Sequence, residues 1–172
     1  MNREDFGRVY DDEYPRVFRY LLWRLGNKEA AEELSGEVFG VALSALQKGD
    51  EPARVGRWLV DIADRLASRS LRREQRDRGD LGPAFAVEQG PDEVVMGQFE
   101  GAGIWSCMEA LAPAHRQVLL LRIVAGLTSR DVADHMGTTE EAVRSLQLLA
   151  LQALQESWKE TANADRHTAQ AH

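Results

Sequence analysis

Several features that commonly define a class of protein are missing from this chain. Among its 172 residues there is one cysteine, Cys107, so an internal disulfide bond is excluded. No apolar run approaches the roughly 18 residues that a membrane-spanning helix requires, and the first residues contain no apolar signal segment. We therefore expect a cytoplasmic protein with no membrane insertion.

Catalytic and metal-binding patterns are missing as well. The histidines show no spacing with the cysteine or with carboxylates that would form a metal site; they are His115, His135, His167 and His172. Neither a glycine-rich phosphate loop nor a nucleophile elbow occurs. The sequence therefore predicts no enzyme, no metal site and no bound cofactor.

Positive charge is scarce overall but concentrated in one stretch. The chain has a net charge of −7, yet residues 53–78 contain eight arginines and only four acidic residues. Counterion release rewards concentrated positive charge, so a chain this acidic does not bind nucleic acid over its whole surface. Any contact with nucleic acid must be local.

The basic stretch predicts a helix that begins in a core and ends as a cationic rod. Apolar residues recur at helical spacing over its first half, from Val55 to Leu66. Over its second half, arginines share one face: Arg65, Arg69, Arg72, Arg73 and Arg76. Guanidinium groups keep their charge at any physiological pH and offer a fork of donors that suits phosphate oxygens. This favours nucleic acid as the partner, and the alternative is a solvated helix end followed by a charged linker.

The surrounding pattern predicts an all-α fold with two small helical domains joined by an acidic linker. Residues 4–76 indicate three or four helices, with a kink or restart at Pro15, a stop at Gly26 and a cap at Asn27. The stretch that follows is rich in glycine, proline and acidic residues, which is typical of a linker. A second helical unit begins near Met96.

Two short helices are predicted close together in the second unit. Thr128 with Asp131, and Thr138 with Glu141, each place a hydroxyl three residues before a carboxylate. This spacing is typical of a capping box, in which both side chains bond to the backbone at the start of a helix. Two such boxes ten residues apart imply two short, closely joined helices.

The residues between the two boxes have the spacing of a helix-turn-helix motif. Ala133 is small enough to let two helices approach, and Gly137 lies where the turn requires a positive φ. Val143 follows where an apolar side chain packs beneath the turn. The motif is a common DNA-binding element.

With these pieces in this order, the chain resembles the extracytoplasmic-function (ECF) sigma factors, the small two-domain sigma subunits of bacterial RNA polymerase. The resemblance covers about residues 5–157 and rests on three segments: AEELSGEVFGVAL at 31–43, RWLVDIADRLASRSLRR at 57–73, and LAPAHRQVLLLRIVAGLTSRDVADHMGTTEEAVRSL at 111–146. It implies four divisions of the chain. These are a region 2-like domain at 1–76, an acidic linker at 77–97, a region 4-like helix-turn-helix domain at 98–160, and a polar, disordered tail at 161–172.

The resemblance also implies a function and particular contacts. The protein would bind core RNA polymerase, through the β′ clamp helices and the β flap, and direct it to promoters. The polymerase-binding residues would be Glu33, Leu34, Glu37 and Phe39. The residues on the −10 side of promoter DNA would be Arg57, Arg65, Arg69, Arg72, Arg73 and Arg76. Those on the −35 side would be Arg130, Thr139, Glu141, Arg144 and Ser145. Phe39 has an alternative role as a core residue.

Departures from the family pattern affect both proposed binding surfaces. Gly36 stands where the family has a glutamine in its polymerase-binding segment, and Arg65 and Arg69 stand where an asparagine and an aspartate are common. The predicted recognition helix, residues 138–154, has a single basic residue, Arg144. Both domains therefore depart from the family in the residues that set polymerase affinity and promoter choice.

Two leucines of the recognition helix are predicted to point away from the core. At 100° per residue from Val143, the side chains of Leu148 and Leu149 lie on or beside the surface that should enter the major groove. Such a patch is typical of a protein contact, here with an anti-sigma factor or another regulatory protein. One alternative is that neighbouring helices or the tail cover both leucines. The alternative function is a sigma-like interaction protein with weakened −35 recognition.

Overall fold

The structure, a computed structural model, describes residues 3–50, 52–77, 79 and 102–170. Within these ranges it contains helices and no strand, which confirms the predicted all-α class. The helices are α1 (Arg3–Leu25), α2 (Lys28–Gln47), α3 (Val55–Asp77), α4 (Ala102–Ala110), α5 (Pro113–Leu119), α6 (Ser129–Met136) and α7 (Glu140–Gln170). The predicted linker, apart from Asp77 and Gly79, and the predicted helix start near Met96 lie outside the described residues. No helix among the described residues has both the length and the apolar character to cross a membrane.

Helices α1, α2 and α3 pack together as the first helical unit. Gly26 adopts a φ of 68° after α1, and the side chain of Asn27 accepts a hydrogen bond from the Ala30 amide at 2.9 Å. Both predicted boundary signals are thereby confirmed. A kink or a restart was expected at Pro15. The restart was wrong, because α1 continues through Pro15 without a break. Pro15 is exposed, so the carbonyl oxygen that lacks its amide partner can bond to water.

The second unit is built from α4 to α7, with one irregular turn at its centre. Helix α5 runs directly into a π-helical turn, Leu120–Val124, closed by a hydrogen bond from the Ala125 amide to the Leu120 carbonyl at 2.8 Å. Pro113 lies at the start of α5, as predicted. Gly126 then adopts a φ of 65° and ends the segment. The π-helical turn lies against α1 and so belongs to the contact between the two units.

The helix-turn-helix geometry is confirmed at its first cap, its turn and its core residue. Thr128 and Asp131 form the predicted capping box at the start of α6. Gly137 ends α6 in the left-handed region, with a φ of 66°. Val143 is fully buried beneath the turn. Helices α6 and α7 therefore have the relation that the sequence spacing predicted.

The second predicted cap was wrong by one residue. The Thr139 hydroxyl, and not that of Thr138, accepts the Ala142 amide at 3.2 Å, and the Thr139 carbonyl accepts the Val143 amide at 3.0 Å. Thr138 instead belongs to the turn, because its amide donates to the Ala133 carbonyl at 2.9 Å. This bond belongs to the C-terminal cap of α6, in which Gly137 has a positive φ. Because Thr138 is used in that cap, Thr139 becomes the N-terminal cap of α7.

The final helix is longer than the sequence predicted. A polar, disordered tail was expected from residue 161, whereas α7 continues to Gln170. The segment 161–170 contains neither glycine nor proline and includes several alanines, so it has no residue that would stop a helix.

The shifted cap gives a direct test of where α7 begins. We expect Thr139→Ala to lower the free energy of unfolding by about 1 kcal/mol, because it leaves the Ala142 amide without its side-chain acceptor. Thr138→Ala, the matched control, should change it by less than about 0.5 kcal/mol. Urea denaturation followed by far-ultraviolet circular dichroism measures both values. A larger loss in Thr138→Ala would place the cap where the sequence first suggested.

Candidate nucleic-acid interface

The second half of α3 carries an exposed arginine face. The last buried side chain of this helix is Leu71, and beyond the core the helix is polar on all sides. Four arginines of this face, together with Asp64 and Ser68, line an open groove: Arg65, Arg69, Arg72 and Arg76. Arg73 is exposed beside them. The structure thus brings five of the six predicted −10 residues together in the second half of α3.

Most of this arginine face has its charge uncompensated within the part of the chain that the structure describes. No carboxylate of those residues lies within 4.0 Å of the guanidinium groups of Arg69, Arg72, Arg73 or Arg76. Arg65 uses one donor locally, on the Asp61 carbonyl at 3.2 Å. The face can therefore offer several forked donors to an anion of matching length, such as a phosphate backbone.

Arg57, the sixth predicted −10 residue, lies at the other end of α3. It is half-buried in the first turn of α3, and its guanidinium is 3.4 Å from Asp61 and 3.8 Å from Asp134 of α6. Helical periodicity placed it on the same helix as the other arginines, but its partners were not predictable from spacing. The structure assigns it to a contact between the two helical units.

The predicted polymerase-binding residues divide into an exposed pair and a buried pair. Glu33 and Glu37 are exposed on α2, and Glu37 borders an open groove with Gly40, Val41, Ser44 and Lys48. Leu34 is 8% exposed and Phe39 is 3% exposed. The ring of Phe39 packs among Phe6, Tyr10 and Tyr14, with a centroid distance of 4.6 Å to Tyr10. This packing supports the core alternative for Phe39.

The predicted −35 residues are all on the surface of the helix-turn-helix. Exposed side chains are found at each position: Arg130, Thr139, Glu141, Arg144 and Ser145. The single basic residue of the early recognition helix, Arg144, is paired with Glu140 at 3.0 Å. Arg122 fixes the helix from behind, because its guanidinium donates to the side chain of Gln147 at 2.9 Å and to the Leu127 carbonyl. The motif is well held but offers little free positive charge.

The two leucines of the recognition helix are exposed, as the helical projection predicted. Leu148 is 59% exposed and Leu149 is 53% exposed. Neither the neighbouring helices nor the extended end of α7 covers them, so the alternative that they are shielded within the chain was wrong. These two apolar side chains cannot form hydrogen bonds, so the surface differs from one built for hydrogen bonding to base edges.

A cluster of ion pairs between α3 and α6 was missed by the sequence analysis. Arg54, just before α3, donates to Asp131 and, at 2.6 Å, to Asp134. His135 of α6 lies between two carboxylates of α3, with Nδ1 at 2.5 Å from Asp61 and Nε2 at 3.6 Å from Asp64. We call these contacts the α3–α6 cluster. Only the spacing of Asp61 and Asp64, three residues apart on one helical face, hinted at it.

The charges within the α3–α6 cluster stabilise one another. The hydrogen bond to Asp61 and the close contact with Asp64 raise the pKa of His135 to about 9, against a smaller opposing effect of burial. Burial alone would raise the pKa of Asp64, but the contact with His135 and the hydrogen bond from the hydroxyl of Tyr20 bring it down to about 2. At neutral pH the histidine is therefore a cation between two carboxylates.

An aromatic contact joins the units at a second place. The ring of Trp23 in α1 stacks on that of Trp105 in α4 at a centroid distance of 5.3 Å. The small cavity beside them is also lined by Arg24, Met108, Glu109, Arg116 and Leu120. The contact between the units thus has an apolar side at α1 and a charged side at α3.

The cluster generates a pH prediction. Because the pKa of His135 is raised from 6.5 to about 9, its contribution to the contact is complete below about 6.5 and is lost as the pH rises through about 9. Asp64, whose pKa falls from 3.8 to about 2, contributes above about 3.8 and loses this as the pH falls through about 2. Nuclear magnetic resonance titration of the His135 ring should show a midpoint near 9.

The cause of this midpoint can be tested with one substitution. Asp61→Asn removes the principal hydrogen-bonded carboxylate and should move the His135 midpoint towards 6.5. Glu13→Gln removes a carboxylate within the first unit and serves as the control, with an unchanged midpoint. A midpoint near 6.5 in the unsubstituted chain would contradict the ion-pair geometry.

Comparison with known proteins places both units in named families. The model for Sigma-70 region 2 matches residues 9–77, and the model for Sigma-70 region 4 matches residues 107–156. The ECF RNA polymerase sigma factor BldN of Streptomyces coelicolor is 32% identical over 154 residues, which are 87% of this chain and 58% of BldN. The ECF RNA polymerase sigma factor SigD of Mycobacterium tuberculosis is 27% identical over 164 residues, covering 90% of this chain and 77% of SigD.

The fold is shared with known structures, and one of them matches most of this chain. It is the sigma factor RpoE in complex with the anti-sigma factor NepR from Bartonella quintana, with a TM-score of 0.69 and 17% sequence identity. The likeness covers 91% of this chain and 98% of that one. At this identity the likeness establishes the arrangement of helices and nothing about partners.

Proposed function

The chain belongs to the ECF sigma factors, and on that premise we propose that it binds core RNA polymerase and directs it to specific promoters. Proteins of this family are transcription initiation factors. The chain spans 58% of the length of BldN, so the activity of the longer relative is carried over here as a proposal. We expect the protein to act in the cytoplasm, without chemistry of its own.

The exposed arginine face of α3 is the observation that best supports this function. It lies in the segment that matches Sigma-70 region 2, beyond the core of that unit, and most of its guanidinium groups have no carboxylate partner among the described residues. Phosphate contacts supply sequence-independent affinity and fix the position of a protein on DNA. We assign to this face the DNA strands near the opened −10 element.

Polymerase binding is assigned to the exposed side of α2. Glu33 and Glu37 present carboxylates there, and the groove beside Glu37 is shallow and lined by small residues at Gly40 and Ser44. Leu34 and Phe39 hold this surface from inside the core, with Phe39 packed on the aromatic rings of α1. In this proposal the two buried residues shape the docking surface and the two glutamates form its contacts with the β′ clamp helices. The second unit is assigned to the β flap and the −35 element.

Removal of charge from the arginine face tests the proposal. We expect Arg69→Ala combined with Arg72→Ala to weaken promoter binding at all sequences, and to reduce the slope of log affinity against log salt by about two units. The measurement is open-complex formation by the variant with core polymerase, over a series of salt concentrations. Both residues are exposed, so helicity should be unchanged.

A matched control separates this face from overall charge. Arg8→Ala combined with Arg19→Ala removes the same charge from exposed positions of α1, and it should leave the salt slope as it is. If the two double variants give equal slopes and equal open-complex formation, the arginine face does not contact DNA.

A second candidate function is favoured by the recognition helix. Arg144 is paired with Glu140, and Leu148 and Leu149 are exposed, so the surface suits a protein better than the major groove. Leucines contact base edges chiefly at thymine methyl groups. In this alternative the chain is a sigma-like interaction protein with weakened −35 recognition, whose second domain binds an anti-sigma factor or another regulatory protein.

The two leucines distinguish the candidates. We expect Leu148→Ser combined with Leu149→Ser to abolish association with a regulatory protein, because burial of each leucine contributes about 1.5 to 3 kcal/mol. Pull-down and size-exclusion mass measure association, and circular dichroism checks helicity. Ile104→Ser, at an exposed position of α4, is the control. Unaltered association with a specific loss of −35-dependent transcription would show that the leucines contact DNA.

A further inference from the structure

We propose that the protein associates with a second copy of itself through α7, as a two-fold symmetric dimer in which one exposed face of this helix packs antiparallel on the same face of the partner. The face, which we call the α7 stripe, is formed by Glu141, Arg144, Leu148, Leu151, Gln155 and Trp158, all of them exposed. The inference goes beyond the proposed function, because it requires neither polymerase, DNA nor a regulatory protein.

The α7 stripe has the spacing of a coiled-coil seam. Its members follow one another at intervals of three and four residues in alternation, so they form one line along the helix. The line is about 26 Å long at a rise of 1.5 Å per residue. Its apolar members, Leu148, Leu151 and Trp158, are 59%, 39% and 45% exposed. Apolar side chains that repeat at this interval are typically buried against a second helix.

Leu149 is exposed on the same helix but is not part of the stripe. It follows Leu148 directly, so its side chain points about 100° further round the helix. The two leucines have similar exposure, 59% and 53%, but only Leu148 lies in line with Leu151 and Trp158. An interface along the α7 stripe therefore buries Leu148 and leaves Leu149 outside.

Trp158 is held in place at one end of the stripe. Its ring lies so close to Gly103 of α4 that a methyl group added there would be 2.9 Å from ring atom Cζ3. Glycine at this position thus lets the indole pack on α4 while nearly half of the side chain remains exposed. A half-exposed aromatic ring whose position is already fixed is typical of an interface anchor, because little conformational entropy is lost when it is buried.

Charge favours an antiparallel second copy. In a parallel pair each residue of the stripe meets itself, so Arg144 would face the partner's Arg144 and Glu141 would face the partner's Glu141. Like charges in such positions are destabilising. In an antiparallel pair the opposite ends of the stripe meet instead, and they differ in charge. Glu141 lies at one end, and Lys159 follows Trp158 at the other.

One antiparallel register matches the side chains of the stripe along its whole length. When the two-fold axis passes between residues 149 and 150, Leu148 faces the partner's Leu151 and the symmetry repeats the contact. Arg144 then faces the partner's Gln155, whose amide oxygen can accept a hydrogen bond from a guanidinium. The centre of the interface is apolar, and the polar residues on either side of it have a complementary partner.

The ends of the stripe are complementary as well. Glu141 and Lys159 are 18 residues, or five full turns, apart and therefore lie on the same flank of α7. A two-fold axis perpendicular to the helices brings this flank against the same flank of the partner, so Glu141 meets the partner's Lys159. Neither side chain has an ion-pair partner within 4.0 Å among the residues that the structure describes.

The interface is small and has a consequence for DNA binding. About five helical turns from each copy is at the low end of the sizes that support specific association, so we expect a reversible monomer–dimer equilibrium. Glu141 and Arg144 belong to the surface that we assign to the −35 side. The dimer covers this surface, so only the monomer can present it to DNA.

Sedimentation equilibrium of the full chain, without polymerase or DNA, tests the dimer. We expect the average mass to rise with concentration from that of one chain towards that of two. Leu148→Ser should raise the dissociation constant at least about tenfold, because the substitution occurs twice in a two-fold interface. Leu149→Ser, matched in residue type and exposure, is the control and should leave the constant unchanged. Circular dichroism verifies that helicity is retained.

Reversal of charge tests the orientation, and it does not depend on whether Leu148→Ser folds. Glu141→Lys brings two cations together at each end of the dimer, and Lys159→Glu brings two carboxylates together there. Each variant alone should therefore be largely monomeric. An equimolar mixture of the two should dimerise as the unsubstituted chain does, since opposite charges then meet at both ends.

Three results would overturn the proposal. They are an unsubstituted chain of constant monomeric mass, equal dissociation constants for Leu148→Ser and Leu149→Ser, and a charge-reversed mixture that remains monomeric. If the chain is monomeric and Leu148→Ser affects only binding of a regulatory protein or −35-dependent transcription, the stripe belongs to that partner. None of these results bears on open-complex formation, which tests the sigma function. A dimer that never starts transcription would refute that function and leave the α7 interface standing.

Discussion

The charged carboxylate of Asp64 lies where α1, α3 and α6 meet, and it joins the two units. It accepts a hydrogen bond from the Tyr20 hydroxyl of α1 at 2.6 Å and faces Arg24 of α1 and His135 of α6. Burial alone would neutralise such a group, and its donors reverse that effect. Since Asp64 sits on α3 itself, one residue links the core of the first unit, the basic helix and the helix-turn-helix.

Helix α3 divides its cations between two kinds of partner. At its beginning, Arg54 and Arg57 are held by carboxylates of α6, whereas the arginines from Arg65 onward face an open groove. The difference follows from where the core ends. The early residues of α3 are flanked by buried positions and by a second unit, and the later ones extend beyond both. A single helix can therefore fix the domain arrangement with one end and remain available to phosphate with the other.

The features that the sequence predicted correctly are those decided by neighbours along the chain. Gly137 needs a positive φ, Thr128 and Asp131 cap a helix together, and the arginine face follows from a period of 3.6 residues. The shifted cap at Thr139 shows the limit of this reasoning, because the closure of the preceding helix decided which threonine was used. The α3–α6 cluster lies beyond that limit altogether. His135 and Asp61 are 74 positions apart, and no periodicity pairs residues across such a distance.

The recognition helix combines exposed leucines with little free positive charge. Projection on a helical wheel placed Leu148 and Leu149 on the outside, and the structure confirms their exposure. It adds that Arg144 is paired with Glu140, while the hydrogen bond from Arg122 to Gln147 ties the helix to the rest of the motif. A rigid helix with little free charge gains little affinity from phosphates. Any affinity that this surface has for a partner must therefore come mainly from apolar contact, which favours a protein over DNA wherever both compete for it.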